Sequence, residues 1–322
     1  MPEASSRLTL WGVEVFLATA EEGAVSAAAR RLGASPSAVS QQLTALETAI
    51  GVKLVDRTQR PVQLTAEGEM FRRRAQIILR EARDAQAELR SPDLAQLTTL
   101  RLGMIEDFDA DVTPRLLLDM AAELKRCQFL LETGASHRLF DLLETRALDA
   151  IVAADLGLSA DGLEMHPLLE EPFVLAAPHG VFKATPPKRE DLLKLPFIQY
   201  TGRHVMGRVI AGYMARHNIR LPRRFELDTY HAIMAMVAGG TGWTILTPLG
   251  LMRAHRFRDQ ADIFPLPFPT SLSRTITLTA RAGDAHGLPQ EIASRLRPLL
   301  QELIVTPTVE RLPWLEGKLR VI

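Results

Sequence analysis

The sequence predicts an α/β protein in two parts: a small helical N-terminal domain prolonged by one long helix, then a larger domain of two α/β lobes. Three patterns carry this expectation. Between residues 8 and 51 apolar residues recur every three or four positions, punctuated by Gly33, Ser35-Pro36 and Gly51, the stop and start signals of short helices. After Thr65 comes a long, highly charged helical run with a narrow apolar stripe. From Leu100 onward short apolar strands alternate with amphipathic helices, the pattern of a parallel sheet covered by helices on both faces.

Residues 8–20 read as an opening helix with Leu10, Val13, Phe16 and Leu17 on one face. Ser26 to Leu32 follows as a short alanine-rich helix whose Ala27, Ala28 and Leu32 permit close packing. Gly33 tolerates the left-handed conformation that ends a helix, and Ser35 caps the next one with Pro36 at its first position. On this next helix Val39, Leu43, Leu46 and Ile50 form a buried stripe, while Ser37, Ser40, Gln41 and Thr44 lie on the other face. Short hydroxyl and amide side chains suit a helix that enters a DNA major groove and meets base edges. A helical hairpin with a polar solvent face is the competing reading. The continuation favours the first. Leu54 and Val55 read as a short strand, Arg57 to Arg60 as a turn and Val62 to Leu64 as a returning strand, a wing with Arg57 and Arg60 at its tip, where an arginine reaches phosphate or the minor groove.

Charge totals add nothing to this reading. The chain is formally neutral, and residues 1–90 hold 12 Lys and Arg against 11 Asp and Glu. The case rests on placement: Arg30, Arg31, Lys53, Arg57 and Arg60 can line one edge while Glu14, Glu21 and Glu22 sit on another. The expected DNA-contacting set is Arg31, Ser35, Pro36, Ser37, Ser40, Gln41, Thr44, Lys53, Arg57 and Arg60.

The succession Phe16, Ala28, Ala29, Leu32, Ser35, Ala38, Val39, Ser40, Leu43, Leu46, Glu47, Gly51, Leu54, Arg57, Leu64, Thr65 and Gly68 resembles the winged helix-turn-helix of the LysR-type transcriptional regulators. The family often has Gln where this chain has Pro36, an aromatic residue at Val55 and Glu-Ala at Ala66-Glu67. The first departure removes one base contact.

In the long helix Phe71, Ala75, Ile78, Ala82, Ala85 and Leu89 alternate spacings of four and three, a heptad seam that predicts dimerisation with a second copy. Packing onto its own domain is the alternative. Pro92 stops the helix, and the polar run to Thr99 reads as a linker.

The alternation that follows runs through strand 100–105, helix 114–126, strand 129–132, helix 136–146 and strand 150–153. A second set comprises strands 173–177 and 197–200, helix 207–217, strand 224–226, helix 230–239 and strand 243–247, with a return through 275–280 to a last helix at 289–303. Two lobes with a rejoining segment resemble the effector domain of the same family, which is similar to periplasmic solute-binding proteins. The expected domains are a winged helix-turn-helix at 1–65, a dimerising helix at 66–90, a linker at 91–99, a two-lobed effector-binding domain at 100–304 and a tail at 305–322.

Ligands of open α/β sheets sit beyond the C-terminal strand ends, here between the lobes. Three loops qualify: Glu106 to Asp111, Thr133 to His137 and Thr201 to His204. The expected effector-binding set is Asp107, Phe108, Thr133, Ser136, Thr201, Gly202, Tyr230 and Trp243. In the family the first loop commonly offers a hydroxyl to a carboxylate effector; this chain has Asp107 there. Four acids in six residues repel an anion, which points to a cationic or amine-bearing effector with the aromatic residues receiving the charge. Arg203 is the internal rival that neutralises Asp107, and a solvated acidic turn at a helix N-terminus is the other reading.

Asp107, His137, His204, Asp228 and His231 are the candidate catalytic groups, but no pair has a spacing that demands proximity, and no phosphate loop, metal-ligand spacing or nucleophile elbow is present. Neither an enzyme nor a metal or other cofactor is expected. The single cysteine, Cys127, cannot form a disulfide within the chain and reads as a small buried hydrophobe, whereas redox-sensing relatives in the family use two. No apolar run approaches the length of a membrane helix, so a cytoplasmic protein is expected. The function read from the sequence is a DNA-binding transcriptional regulator controlled by a small molecule between the lobes. Its expected partners are double-stranded DNA carrying an interrupted inverted repeat, the effector, further copies in a homodimer and homotetramer, and RNA polymerase as a candidate. The alternative is a constitutive or architectural DNA-binding protein whose second domain only oligomerises.

Overall fold

The computed structural model describes residues 7–90, 97–155, 157, 162–183, 185–219, 224–283 and 287–322, with the backbone only at 80 and 83–90. It divides into two compact units, Met1–Asp93 and Leu94–Ile322.

In the first unit α1 (Leu10–Glu22) starts where the Thr9 hydroxyl accepts from the Gly12 N–H at 3.1 Å. Next come α2 (Val25–Leu32), ended by Gly33 at φ 64°, and α3 (Pro36–Ile50), which starts at Ser35, whose Oγ accepts from the Ala38 N–H at 3.2 Å. β1 (Val55–Asp56) and β2 (Gln63–Leu64) form the antiparallel wing, and α4 (Ala66–Arg90) leads away from it. Val13, Phe16, Ala28, Val39, Leu43, Leu46, Leu54 and Ala75 close one core over these elements. Gly68 lets α4 start hard against the wing, since a Cβ there would fall 2.0 Å from the Leu54 carbonyl oxygen.

The start of the expected dimer seam is used inside this unit. The Phe71 ring lies 5.2 Å from that of Phe16, and Ala75 is fully buried, because the first turns of α4 pack across α1. Ile78 and Ala82 are half-buried, and the side chains of Ala85 and Leu89 lie outside the described residues. Phe71 and Ala75 therefore belong to the domain core and not to a free seam.

The second unit begins with β3 (Thr99–Ile105), a 3-10 turn at Glu106–Phe108, α5 (Val112–Glu123), β4 (Gln128–Gly134), α6 (Ser136–Glu144) and β5 (Ala150–Ala154). Then follow β6 (Leu163–Pro172), β7 (Val174–Pro178), α7 (Arg189–Leu192), β8 (Ile198–Tyr200), α8 (Val205–Arg216), β9 (Phe225–Leu227), α9 (Tyr230–Ala238) and β10 (Thr244–Leu246). α10 (Pro248–Arg253), α11 (His255–Arg258), β11 (Ala261–Pro265), β12 (Ser273–Arg281), α12 (Leu288–Leu300), α13 (Thr306–Arg311) and β13 (Arg320–Val321) complete it.

The first lobe is one sheet in the order β13-β6-β12-β5-β3-β4, parallel across β5-β3-β4 and antiparallel elsewhere. The second lobe holds an antiparallel β10-β7-β11 sheet beside the parallel pair β8-β9, joined where the Ile198 N–H donates to the Trp243 carbonyl at 2.9 Å. The expected parallel arrangement is found across β5-β3-β4, while β12, which re-enters the first lobe from the second, runs antiparallel to β5 and β6. β6 carries Glu164, His166, Glu170 and Glu171 and has a register shift opposite Ile276 and Thr277, which hides it from a pattern search. The 305–322 tail packs on the first lobe: Leu315 and Leu319 are buried, and β13 forms the sheet edge against β6. The chain leaves the first lobe at Pro172–Phe173 and returns at Leu272–Ser273, where the Phe173 N–H donates to the Leu272 carbonyl at 2.8 Å.

Candidate functional site

The outward face of α3 presents a shallow groove lined by Ser37, Ser40, Gln41, Thr44, Ala45 and Thr48. The Ser35 and Ser37 hydroxyls lie 3.0 Å apart, and the Thr44 hydroxyl donates to the Ser40 carbonyl at 3.0 Å. Pro36 and Arg60 are exposed. Three of the expected phosphate-binding cations carry carboxylate partners. Arg31 lies 2.5 Å from Glu21 and 3.3 Å from Glu22, and the hydrogen bond to Glu21 raises its pKa. Lys53 and Arg57 share Glu47, at 3.0 and 3.2 Å. The exposed Arg31 pairs contribute little stability and exchange readily for phosphate, whereas the carboxylate that holds Lys53 and Arg57 is buried. Sequence reading gave Glu47 no role of its own, although it is the one carboxylate on the inner side of α3.

In the second unit a crevice of 510 Å³ opens between the lobes at the strand ends. Of the expected set, Asp107, Ser136 and Tyr230 line it, and the Ser136 hydroxyl accepts from the Ala154 N–H at 3.1 Å. The others are placed elsewhere. Phe108 is fully buried in the first-lobe core. Trp243 is fully buried in the second lobe, with its indole N–H donating to the Leu192 carbonyl at 3.0 Å and its ring 4.8 Å from Phe197. Thr201 donates to Glu226 at 2.8 Å, the Gly202 N–H donates to the same carboxylate at 3.1 Å, and Thr133 bonds Asp109. Apolar bulk at a strand end fills the lobe core first, and short polar side chains satisfy local backbone and carboxylate groups.

The central feature of the crevice is Arg274, at the start of β12. Its Nη2 lies 2.9 Å from the Asp107 carboxylate, 2.5 Å from that of Glu171 and 3.2 Å from the Thr247 hydroxyl, while Nε donates to Glu171 at 2.6 Å. Glu171 is fully buried and also accepts from the Leu249 N–H at 3.1 Å. Burial pushes the Glu171 carboxyl up, against the opposing pull of Arg274. Burial of Arg274 works to lower its pKa, but the field of Glu171, with Tyr230 and Asp107, overrides it and raises it. Arg203, the expected rival, instead faces Asp228 at 3.6 Å. The acid was neutralised by a residue that no local pattern marks.

Around this centre stand four rings. His137 lies 5.4 Å from His204, Tyr200 5.7 Å from His204 and Tyr200 5.2 Å from Tyr230. Burial, and then the charge of Asp107, pushes the Tyr200 hydroxyl up to about 12, and the same two causes hold Tyr230 well above its ordinary value. Burial lowers the His204 pKa, with His137 adding to it. Arg253 is paired to Glu106 at 2.6 Å. Neutral phenols, aromatic faces and arginines already bound to carboxylates make a surface that holds a ligand rather than one that turns it over. Among the described residues no group of three or more His, Cys, Asp or Glu is placed to hold a metal ion, and no helix is long and apolar enough to cross a membrane.

Residues 10–69 match the model of the bacterial regulatory helix-turn-helix protein, lysR family, and residues 96–297 match the LysR substrate binding domain. The chain is 37% identical over 182 residues to a probable hydrogen peroxide-inducible genes activator of Mycobacterium xenopi, covering 56% of this chain and 95% of that one. It is 25% identical over 297 residues to a hydrogen peroxide-inducible genes activator of Pectobacterium carotovorum, covering 91% and 97%. A full-length OxyR variant from Pseudomonas aeruginosa shares the fold with a TM-score of 0.63 at 22% identity, covering 90% of this chain and 95% of that structure.

Proposed function

The chain belongs to the LysR family of DNA-binding transcriptional regulators, non-enzymatic proteins controlled by a small effector, and on that premise we propose that its effector is a small cationic or amine-bearing molecule with an apolar body. One observation carries the charge of the ligand. Both arginines that line the crevice are committed to carboxylates, while Asp155 at its mouth has no cationic partner among the described residues and accepts the Gly157 N–H at 2.8 Å. An acid without a cationic partner at the edge of the crevice favours a cation through its charge. Tyr200, Tyr230 and His137 offer ring faces to the rest of the molecule.

Asp107 is not the receiving acid in this reading, because Arg274 already neutralises it; Asp155 is. A neutral ligand that bridges Asp107 and Arg274 is the second reading, favoured by the same ion pair. A peroxide response through a dithiol, as the names of the similar activators would invite, has little support. Cys127 is the one cysteine of this sequence, and burial pushes its thiol pKa up, away from a reactive thiolate.

The DNA-contacting residues are Arg31, Ser35, Pro36, Ser37, Ser40, Gln41, Thr44, Lys53, Arg57 and Arg60, with the side chains of α3 in the major groove and the wing against phosphate. The later turns of α4, from Ile78 onward, pair two copies on an interrupted inverted repeat, and two such dimers form the tetramer. The protein works in the cytoplasm, where its DNA is, with RNA polymerase as a partner. A thermal-shift panel of primary amines, quaternary ammonium ions and carboxylates on wild type and Asp155→Asn tests the effector class, since a bound ligand stabilises by RT ln(1 + [L]/Kd). Amines should raise the melting temperature of wild type and lose most of that effect in the variant. Stabilisation by carboxylates alone, unchanged by the substitution, would overturn it.

A further inference from the structure

Glu47 stands on α3 among the apolar residues of the N-terminal core and is buried there. Its carboxylate accepts from the Leu54 N–H at 2.9 Å and the Val55 N–H at 3.3 Å, so the first strand of the wing is hung directly on the recognition helix. The other side of the same carboxylate meets Lys53 Nζ at 3.0 Å and Arg57 Nη2 at 3.2 Å. Arg57 then reaches back with Nη1 to the Ser40 hydroxyl at 3.3 Å, on the face that carries Gln41 and Thr44. Burial by itself would raise the Glu47 carboxyl, but the bonds from Leu54, Lys53 and Val55 outweigh it and lower its pKa, so the group is an anion at neutral pH.

We propose that Glu47 is a positioning residue for sequence discrimination: it tethers the Arg57 guanidinium to the Ser40 side of α3 and withholds it from indiscriminate phosphate contact. Two physical facts make the tether matter. A free arginine on a wing meets phosphate on any duplex and adds affinity with no discrimination, whereas a guanidinium fixed by its fork beside the recognition helix meets DNA only when the helix is in register. Second, one buried anion facing two cations cancels part of the local positive field, which lowers binding to arbitrary DNA while leaving the base-reading hydroxyls and amide in place. Glu47 contacts no base in this arrangement. Its effect passes through Arg57.

The test uses the full chain and two duplexes of equal length, the best fragment that wild type selects from a random library and a scrambled version of it, titrated over a range of salt. Glu47→Gln keeps the size of the side chain and an acceptor for the wing amides but releases the two cations. The variant should bind the scrambled duplex more tightly, steepen its log-log salt dependence by about one unit for the phosphate gained, and lower the selected-to-scrambled ratio about tenfold, comparable to one mismatched base pair. The same substitution made on an Arg57→Ala background should leave the ratio where Arg57→Ala put it. Arg57→Lys, which keeps the charge and loses the fork, should lower the ratio without changing the salt slope. If Glu47→Gln weakens both duplexes equally, or acts as strongly without Arg57 as with it, Glu47 only holds the wing and the proposal fails. Should Glu47→Gln not fold, Arg57→Lys decides alone: a retained ratio overturns the tether and a reduced one supports it.

Discussion

Arg274 donates from Nη2 to Asp107 at 2.9 Å and so ties the returning strand β12 to the turn after β3, across 167 residues of sequence. The acid that the first loop offers to an incoming cation is thereby neutralised from within the protein. The same guanidinium holds Glu171 and Thr247 and is itself mostly buried, so three polar side chains from separate segments depend on one cation.

Removing that cation should be costly. Arg274→Met leaves Asp107 and Glu171 facing each other without compensation, and breaking a buried pair from one side typically costs about 3–5 kcal/mol. Urea unfolding of the variant should show a loss of that order, with part of it recovered by adding Glu171→Gln. A loss under about 1 kcal/mol, the size of a surface ion pair, would mean that water or a neighbouring group replaces the guanidinium.

Acid should loosen the N-terminal unit through Glu47. Its folded pKa is lowered, so the stability it contributes is present above the ordinary carboxylate value of about 4.3 and is lost as pH falls through the lower folded value. Melting followed from about pH 6 to pH 3 should fall more steeply in wild type than in Glu47→Gln. Parallel curves would remove Glu47 as the titrating group.

Phe71 and Ile78 sit on one stripe of α4 but should separate in their effects. Phe71→Ala removes a ring that packs on Phe16 and should cost about 3–5 kcal/mol of unfolding free energy. Ile78→Asp should leave the melting of the N-terminal unit nearly unchanged while shifting sedimentation from dimer to monomer. A dimeric Ile78→Asp chain would place the interface elsewhere.

On DNA, Gln41→Ala should cost roughly 1–3 kcal/mol on the preferred site and relax discrimination at one base position. Arg60→Ala should instead flatten the log-log salt dependence by about one unit on every sequence. Equal weakening of all duplexes by Gln41→Ala assigns that residue to the backbone, and an unchanged slope in Arg60→Ala takes Arg60 out of the interface.

What the sequence determined by itself was everything set by near neighbours in the chain. Helix starts at Ser35 and Pro36, stops at Gly33 and Gly51, the wing between Leu54 and Leu64 and the alternation after Leu100 all arise from contacts a few residues apart, where periodicity and backbone preference decide. Tertiary structure alone decided what depends on long-range partners. It drew Trp243 and Phe108 into lobe cores because apolar bulk is worth more buried than at a wet crevice. Across 103 residues of sequence it paired Arg274 with Glu171, turning a charged segment into strand β6, and it set the 305–322 segment on the edge of that strand. The two halves of the α4 stripe look alike in sequence. Only the packing of α4 across α1 marks Phe71 and Ala75 as core, because the hydrophobic pattern of a helix records which side is covered and not what covers it.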